Sequence, residues 1–347
     1  MSVVISEEIS KNEWEGFLLG LSRPPFLQSW NMRAVHEALG EETLTIVVRE
    51  GDSIIGVALV AVVRARRGHY LYLPYGPVMS DAGWKHFDEL TAYLVKRGKE
   101  LDVDFIRSSP FIEDTDDNKS LYAGNGWKRA PIHMLAEHIW WLDISGTEEE
   151  TQKGMRKTMR NLIRKAGKEG VTIRQSTDLK DVERFIQIHK DTVTRHNFVP
   201  YSNKLFTTQV ESFTEDDEVV VYTAEYEGKE ISSGIMMYYG DMASYHHGAS
   251  LSEYNRIPAS YVLQWTAIQE AKKRGCTTYN FWGIVPEHKF YSKVLHRPHP
   301  FIGVTKFKTG FGGELYNLLP CQDLPLTTKY RFFTRPIEVA RRIKRGF

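Results

Sequence analysis

The chain has 347 residues, 41% hydrophobic and 26% charged, with 45 basic against 44 acidic side chains. That composition is globular and long enough for two domains, and it excludes disordered and fibrous classes. A net charge of +1 gives no global electrostatic footprint, so any site for a polyanion must be local.

Only Cys276 and Cys321 are present, too few for a disulfide framework, which suits a reducing cytoplasm. The opening MSVVISEEISKNEWEGF has acids where a secretory leader needs a basic region and a long apolar run. No apolar run approaches the roughly 20 residues of a membrane span. A soluble, cytoplasmic protein is the expectation.

In chain order, KNEWEGFLLGL predicts an amphipathic helix, and PFLQSWNMRAVHEALG a second one closed by Gly40. TLTIVVREG and SIIGVALVAVVRARRG predict a hairpin of long strands turning near Gly51-Asp52. HYLYLPYGPVM reads as a strand running into a Pro/Gly stop. A helix over DAGWKHFDELTAYLVKRGKELDV, the strand DFIRSSP, an acidic loop EDTDDNKS and a short helix LYAGNGW follow. The strand HMLAEHIWWLDIS closes the first half.

The second half repeats that order. TQKGMRKTMRNLIRKAGKEG is predicted as a helix, VTIRQS as a strand and DLKDVERFIQIHKDTVTRH as a helix. Strands fill VVVYTAEYEGKEISSGIMMYYGDMASYHHGAS, then come the helix ASYVLQWTAIQEAKKRGC and the strand TTYNFWGI. GVTKFKTGFGGE reads as one more strand, with Val304, Lys306 and Lys308 on one face. No sequence repeat is detectable, but the recurring order predicts two similar α/β domains divided near Gly146. The basic tail TTKYRFFTRPIEVARRIKRGF is expected to pack back on the first. The expected domains are therefore 1–148 plus 320–347, and 149–319.

The sharpest charge feature is the predicted helix around residue 160. At about 100° per residue, Met155, Met159, Leu162, Ile163 and Ala166 form an apolar stripe. Lys153, Arg156, Lys157, Arg160, Arg164 and Lys168 gather opposite it, and Glu169 is the one relieving acid. A nearly uniform cationic face repels itself and asks for an anion, either RNA phosphates or an anionic membrane surface. A plain solvated face is the other reading. His246-His247 and His296-x-x-His299 lack nearby cysteine or carboxylate partners, so no metal is expected. No Walker A or Gly-x-Ser-x-Gly occurs, and GFGG lacks dinucleotide spacing. Tyr245, Tyr254, Tyr261, Tyr279 and Trp282 are dense enough to be core or to line a cleft.

MRKTMRNLIRKAGKEGV, YVLQWTAIQEAKKRGCTTYNFWGI and HPFIGVTKFKTGFGGEL, with PFLQSW and YLPYGPV, together resemble the FemABX family of peptidoglycan bridge aminoacyltransferases. The resemblance spans nearly the whole chain. It implies an α/β (α+β) fold of two GNAT-like acetyltransferase-type domains with a cleft between them. It also implies transfer of an amino acid from aminoacyl-tRNA to an amine of the stem peptide, on lipid II or UDP-MurNAc-pentapeptide. No cofactor is implied beyond the aminoacyl-tRNA co-substrate. No sustained heptads interrupt residues 150–320, so this is the compact type without the coiled-coil arm.

By the same resemblance, Lys308 in FK-x-GFGG stabilises the oxyanion and the Phe307 carbonyl relays the amine proton. Lys306 reads as tRNA-facing or solvated. Phosphates and carboxylates of the acceptor call for arginine forks, and Arg33, Arg107 and Arg195 are the candidates. Tyr254 and Trp282 are taken as ligand contacts, and Tyr261 either as one or as helix packing. The basic helix would receive the tRNA, and the tail suits tRNA and a peripheral contact with the inner membrane surface equally well. The rival enzyme is an acyl-CoA transferase, disfavoured because NRIPAS places Pro258 where a helix start would need amide donors. The other rival is a catalytically silent RNA-binding protein.

Overall fold

The computed structural model describes residues 3–65, 68–196, 200–292 and 297–345. The chain forms two compact units: Met1–His138 with His288–Pro298 and Asn317–Phe347, and Ile139–Glu287 with His299–Tyr316.

The first unit opens with β1 (Val3–Ser6), α1 (Lys11–Leu19) and α2 (Trp30–Ala38). Ser10 caps α1 reciprocally with Glu13, and the Ser29 side chain accepts from the Met32 amide to start α2. The predicted hairpin is β2 (Glu42–Glu50) with β3 (Ser53–Ala65), turning at Gly51, whose φ is 59°. Then come β4 (Gly68–Pro74), β5 (Val78–Met79), α3 (Phe87–Glu100), β6 (Phe105–Ser109), α4 (Asp116–Gly124) and β7 (Lys128–Arg129).

The chain crosses at β8 (His138–Asp143) and continues through α5 (Glu148–Gly154), α6 (Lys157–Lys168), β9 (Thr172–Ser176), α7 (Leu179–His196) and α8 (Asn203–Thr214). Next are β10 (Val219–Tyr226), β11 (Lys229–Tyr239), β12 (Met242–Ser250), α9 (Ala259–Lys273) and β13 (Thr278–Gly283). A two-stranded pair, β14 (Tyr291–Ser292) and β15 (Arg297–Pro298), precedes α10 (Ile302–Thr309) and β16 (Glu314–Asn317). Finally β17 (Gln322–Pro325) and α11 (Arg335–Arg345) return to the first unit.

The two sheets share one plan. The first runs β1-β2-β3-β4-β6-β17-β7, with β5 also on β3, and the second β16-β8-β13-β12-β11-β10-β9. In each, an antiparallel meander leads into one parallel pair bridged by a helix: β4-α3-β6 and β12-α9-β13. A parallel pair requires such a crossover. The outer neighbour of the pair is antiparallel in both, β17 on β6 and β8 on β13. The first core centres on Val48, Val60, Leu71, Phe87, Leu94 and Ile106. The second centres on Tyr222, Met236, Leu263, Ile268, Phe281 and Phe311.

Three expectations are corrected. Residues 302–309 are helical, not a strand: an eight-residue segment satisfies both periods, and the buried positions Thr305 and Lys308 are three apart. Lys306 and Lys308 therefore do not share a face, and Lys306 is exposed while Lys308 is buried. The basic helix is two helices, broken at Met155-Arg156. The strand over 138–143 pairs with β13 and so lies in the second sheet, ahead of the expected division near Gly146.

The glycines after α10 serve the chain itself. Gly312 and Gly313 have φ of 89° and 92°, and a Cβ on Gly313 would lie 2.1 Å from the Trp141 carbonyl oxygen of β8. Gly313→Ala is expected to destabilise by about 3 kcal/mol, combining left-handed strain with a backbone clash. A fall in the urea midpoint at unchanged slope checks this; an unchanged midpoint contradicts it.

Candidate active site

The second unit builds a polar cluster where two parallel strands part. The ladder of β12 with β13 runs only from Met242/Thr278 to Ser244/Asn280, although β12 continues to Ser250 and β13 to Gly283. A bulge between Ile235 and Met236 in the β11 register puts His246 opposite no single partner. On β13, Trp282 has φ of 65°, a left-handed conformation held by its amide donating to Asn280 Oδ1 at 2.8 Å. The Trp282 ring meets His246 edge to face at 4.8 Å.

Lys308 enters this opening from α10. It is 7% exposed, and its Nζ donates to the Gly283 carbonyl at 2.7 Å and sits 5.7 Å from the Tyr245 ring centroid. Burial pulls its ammonium down to about 7. Burial also pulls His246 down to about 3 and pushes the Tyr245 hydroxyl up to about 12, so both are neutral near pH 7. A desolvated cation held by a neutral carbonyl gains most from an anion that forms beside it.

The neighbouring side chains fix α10. Thr305 Oγ1 accepts from the Val285 amide at 3.0 Å, tying the helix to the segment after β13. Phe307 packs edge to face on Tyr261 at 5.0 Å and on Phe311 at 5.4 Å. Tyr261 thus packs α9 against α10, the second of its two predicted roles. The Phe307 carbonyl accepts from the Gly310 amide at 3.2 Å, with a second lone pair remaining.

The basic helices are joined to the same place. The Arg156 amide donates to the Gly310 carbonyl, and its guanidinium donates to Thr309 Oγ1, both at 3.0 Å. Lys157, Arg164 and Lys168 are exposed, and Lys153 pairs with Glu149 at 2.9 Å. Arg160 plays a structural part, because its Nη1 donates to the carbonyls of Gln152, Lys153 and Met155 and so caps the end of α5.

The predicted arginines have three different fates. Arg195 is on α7 and donates to Ser250 Oγ at 3.0 Å and Ser252 Oγ at 3.1 Å. Its predicted neighbours Asn197, Phe198 and Val199 lie outside the described residues, as does His296 of the His-x-x-His pair. Tyr254 occupies the turn just beyond, beside Tyr226 and 5.7 Å from Lys229 Nζ. In the first unit, Arg33 lies 4.7 Å over the Trp30 ring and pairs with Glu37 at 2.7 Å.

Arg107 is a correction. It is 1% exposed and forks onto Asp323 with two bonds of 2.7 Å and onto Glu338 at 2.7 and 3.1 Å. Burial opposes its charge, but the two carboxylates outweigh that and hold the guanidinium firmly protonated. Its fifth N–H is directed at Met134 Sδ, 3.9 Å from Nη1, so no donor remains for a substrate. Sequence reasoning passes over Gly283 and Thr305; it meets Tyr245 only among clustered aromatics and His246 only as a failed metal ligand.

A mixed sheet with one parallel pair bridged by a crossover helix is the GNAT-type fold, here in tandem. Residues 153–290 match the Acetyltransferase (GNAT) domain family. The chain is homologous to the Fem aminoacyltransferases and is an aminoacyltransferase. It is 20% identical to aminoacyltransferase FemB of Staphylococcus epidermidis over 424 aligned positions, covering 97% of this chain and 99% of that protein. A shorter match, 29% over 94 residues, covers 27% of this chain and 22% of the lipid II:glycine glycyltransferase of Staphylococcus saprophyticus. The fold matches the crystal structure of FemX with a TM-score of 0.83 at 17% identity, covering 95% of this chain and 99% of that one.

Proposed function

We propose that the protein transfers an amino acid from aminoacyl-tRNA to an amine on the stem peptide of a peptidoglycan precursor, lipid II or UDP-MurNAc-pentapeptide. The observation that carries this reading is Lys308, buried with its Nζ on the Gly283 carbonyl at the parting of β12 and β13. The amine attacks the ester carbonyl, forming the C–N bond and a tetrahedral oxyanion. Lys308 stabilises that charge, which develops only in the transition state. Collapse breaks the C–O bond to the ribose, and the amine proton passes, by way of the Phe307 carbonyl, to the leaving ribose hydroxyl. Positioning supplies the rest of the barrier reduction.

Lys153, Arg156, Lys157, Arg164 and Lys168 form the tRNA face in this reading, and the anchoring of Arg156 to the end of α10 would deliver the charged terminus near Lys308. Arg195 with Tyr254, and Arg33 on its own unit, are the acceptor contacts. The start of α9 supports tRNA over acyl-CoA: Pro258 has no N–H, and the Ala259 amide donates to the Ile257 carbonyl at 2.9 Å. Amides there are poorly placed for a pyrophosphate. The test is to offer mixed charged tRNAs with UDP-linked and lipid-linked precursors and weigh the product. A gain of one amino-acid residue supports the reading, and acetylation from acetyl-CoA alone overturns it.

A further inference from the structure

The C-terminal helix turns its apolar side outward. A π turn at Tyr330–Thr334 leads directly into α11. The positions facing the body are Tyr330, Thr334 and Glu338, spaced four apart, and Glu338 is held by Arg107. The opposite stripe is Phe332, Pro336, Ala340 and Ile343, and Phe332, Pro336 and Ile343 are exposed. Phe332 is 72% exposed, Phe333 66%, Ile343 60% and Ile337 44%. An amphipathic helix packed on a domain normally shows the reverse.

The charges complete the pattern. From Thr327 to Phe347 the single acid is Glu338. Its burial against Arg107 removes it from the surface, leaving Arg331, Arg335, Arg342 and Lys344 exposed around the apolar stripe. No helix among the described residues is long and apolar enough to cross a membrane.

We propose that this helix docks in the plane of an anionic lipid bilayer, inserting Phe332, Phe333 and Ile343 at the headgroup boundary while the basic residues meet lipid phosphates. Exposed apolar residues flanked by one sign of charge are what an interfacial helix requires. RNA phosphates would explain the cations but leave the phenylalanines in water without purpose. The inference stands apart from the catalytic reading. If both hold, docking favours the lipid-linked acceptor.

The test uses the full chain in co-sedimentation with mixed phosphatidylglycerol–phosphatidylcholine vesicles and with phosphatidylcholine vesicles alone. Binding to the anionic vesicles is expected to exceed neutral binding by about tenfold and to weaken with salt. Phe332→Ser with Ile343→Ser is expected to reduce it by about tenfold, with melting temperature and transfer to soluble UDP-linked precursor unchanged. Arg335→Glu with Arg342→Glu should abolish the anionic preference. Absence of vesicle binding, vesicle binding untouched by both pairs, or the same substitutions impairing only tRNA binding or self-association would each overturn the proposal.

Discussion

A Lys308→Met variant is expected to lose aminoacyl transfer by about 10²–10³-fold, the usual cost of removing one preorganised oxyanion donor, while tRNA binding persists. Methionine keeps most of the volume but brings no charge to the Gly283 carbonyl that Lys308 now contacts. The loss should fall on the chemical step and not on donor affinity, because the developing charge is absent from the ground state. Transfer at wild-type rate by Lys308→Met removes the lysine from the mechanism.

The same substitution should act oppositely on stability. Burial lowers the Lys308 ammonium from 10.5 to about 7, so the unfolded chain binds the proton more tightly. Between those values the unfolded state holds more protons, and wild-type stability therefore rises with pH across that window. Below pH 7 the cost of the buried charge is complete. Lys308→Met is thus expected to be more stable than wild type near pH 6, on the order of 5 kcal/mol, and the advantage should shrink toward pH 10. Urea midpoints of both proteins at the two pH values decide this; an advantage independent of pH would disprove the assigned burial cost.

The largest structural effect is expected at Arg107. Arg107→Leu leaves Asp323, wholly buried, and Glu338, nearly so, without their shared cation. Removing one partner of such a buried network typically costs about 3–5 kcal/mol, because the remaining charges stay desolvated. Tyr330 donates to Asp323 Oδ2 at 2.5 Å and keeps one contact, but a neutral hydroxyl does not replace the guanidinium. Arg107→Lys should rescue little, since a single ammonium cannot make both bidentate forks. Thermal unfolding, and limited proteolysis of residues 326–345, read the two effects. Wild-type stability in Arg107→Leu would show that the C-terminal helix is held by other means.

Arg107 also shows where sequence reasoning stops. An arginine in the middle of a strand signals a need for anions, but its two carboxylates lie 216 and 231 residues away in the chain. Nothing local distinguishes them from a substrate. The β2–β3 hairpin, by contrast, is legible from its β-branched runs and the glycine between them, because hairpin pairing is local. The duplicated order of elements is legible for the same reason. The strand at 138–143 is recognisable by its pattern, but its assignment to a sheet depends on pairing with β13, far along the chain.

In the site, residue type outruns geometry. The FK-x-GFGG stretch marks itself as a break beside something important, yet its short length hides its period, and only the helical phase separates buried Lys308 from exposed Lys306. Gly312 and Gly313 make their close contacts with the chain's own α5 and β8. The left-handed Trp282 carries no sequence signal, because nothing in Asn-Phe-Trp-Gly demands a positive φ.

The most direct test of tRNA-dependent transfer is to measure product formation on a stem-peptide precursor before and after ribonuclease digestion of the charged donor. Intact aminoacyl-tRNA should support transfer that digestion abolishes and that acetyl-CoA does not restore. Transfer that survives digestion, or that runs on acetyl-CoA alone, would contradict the account.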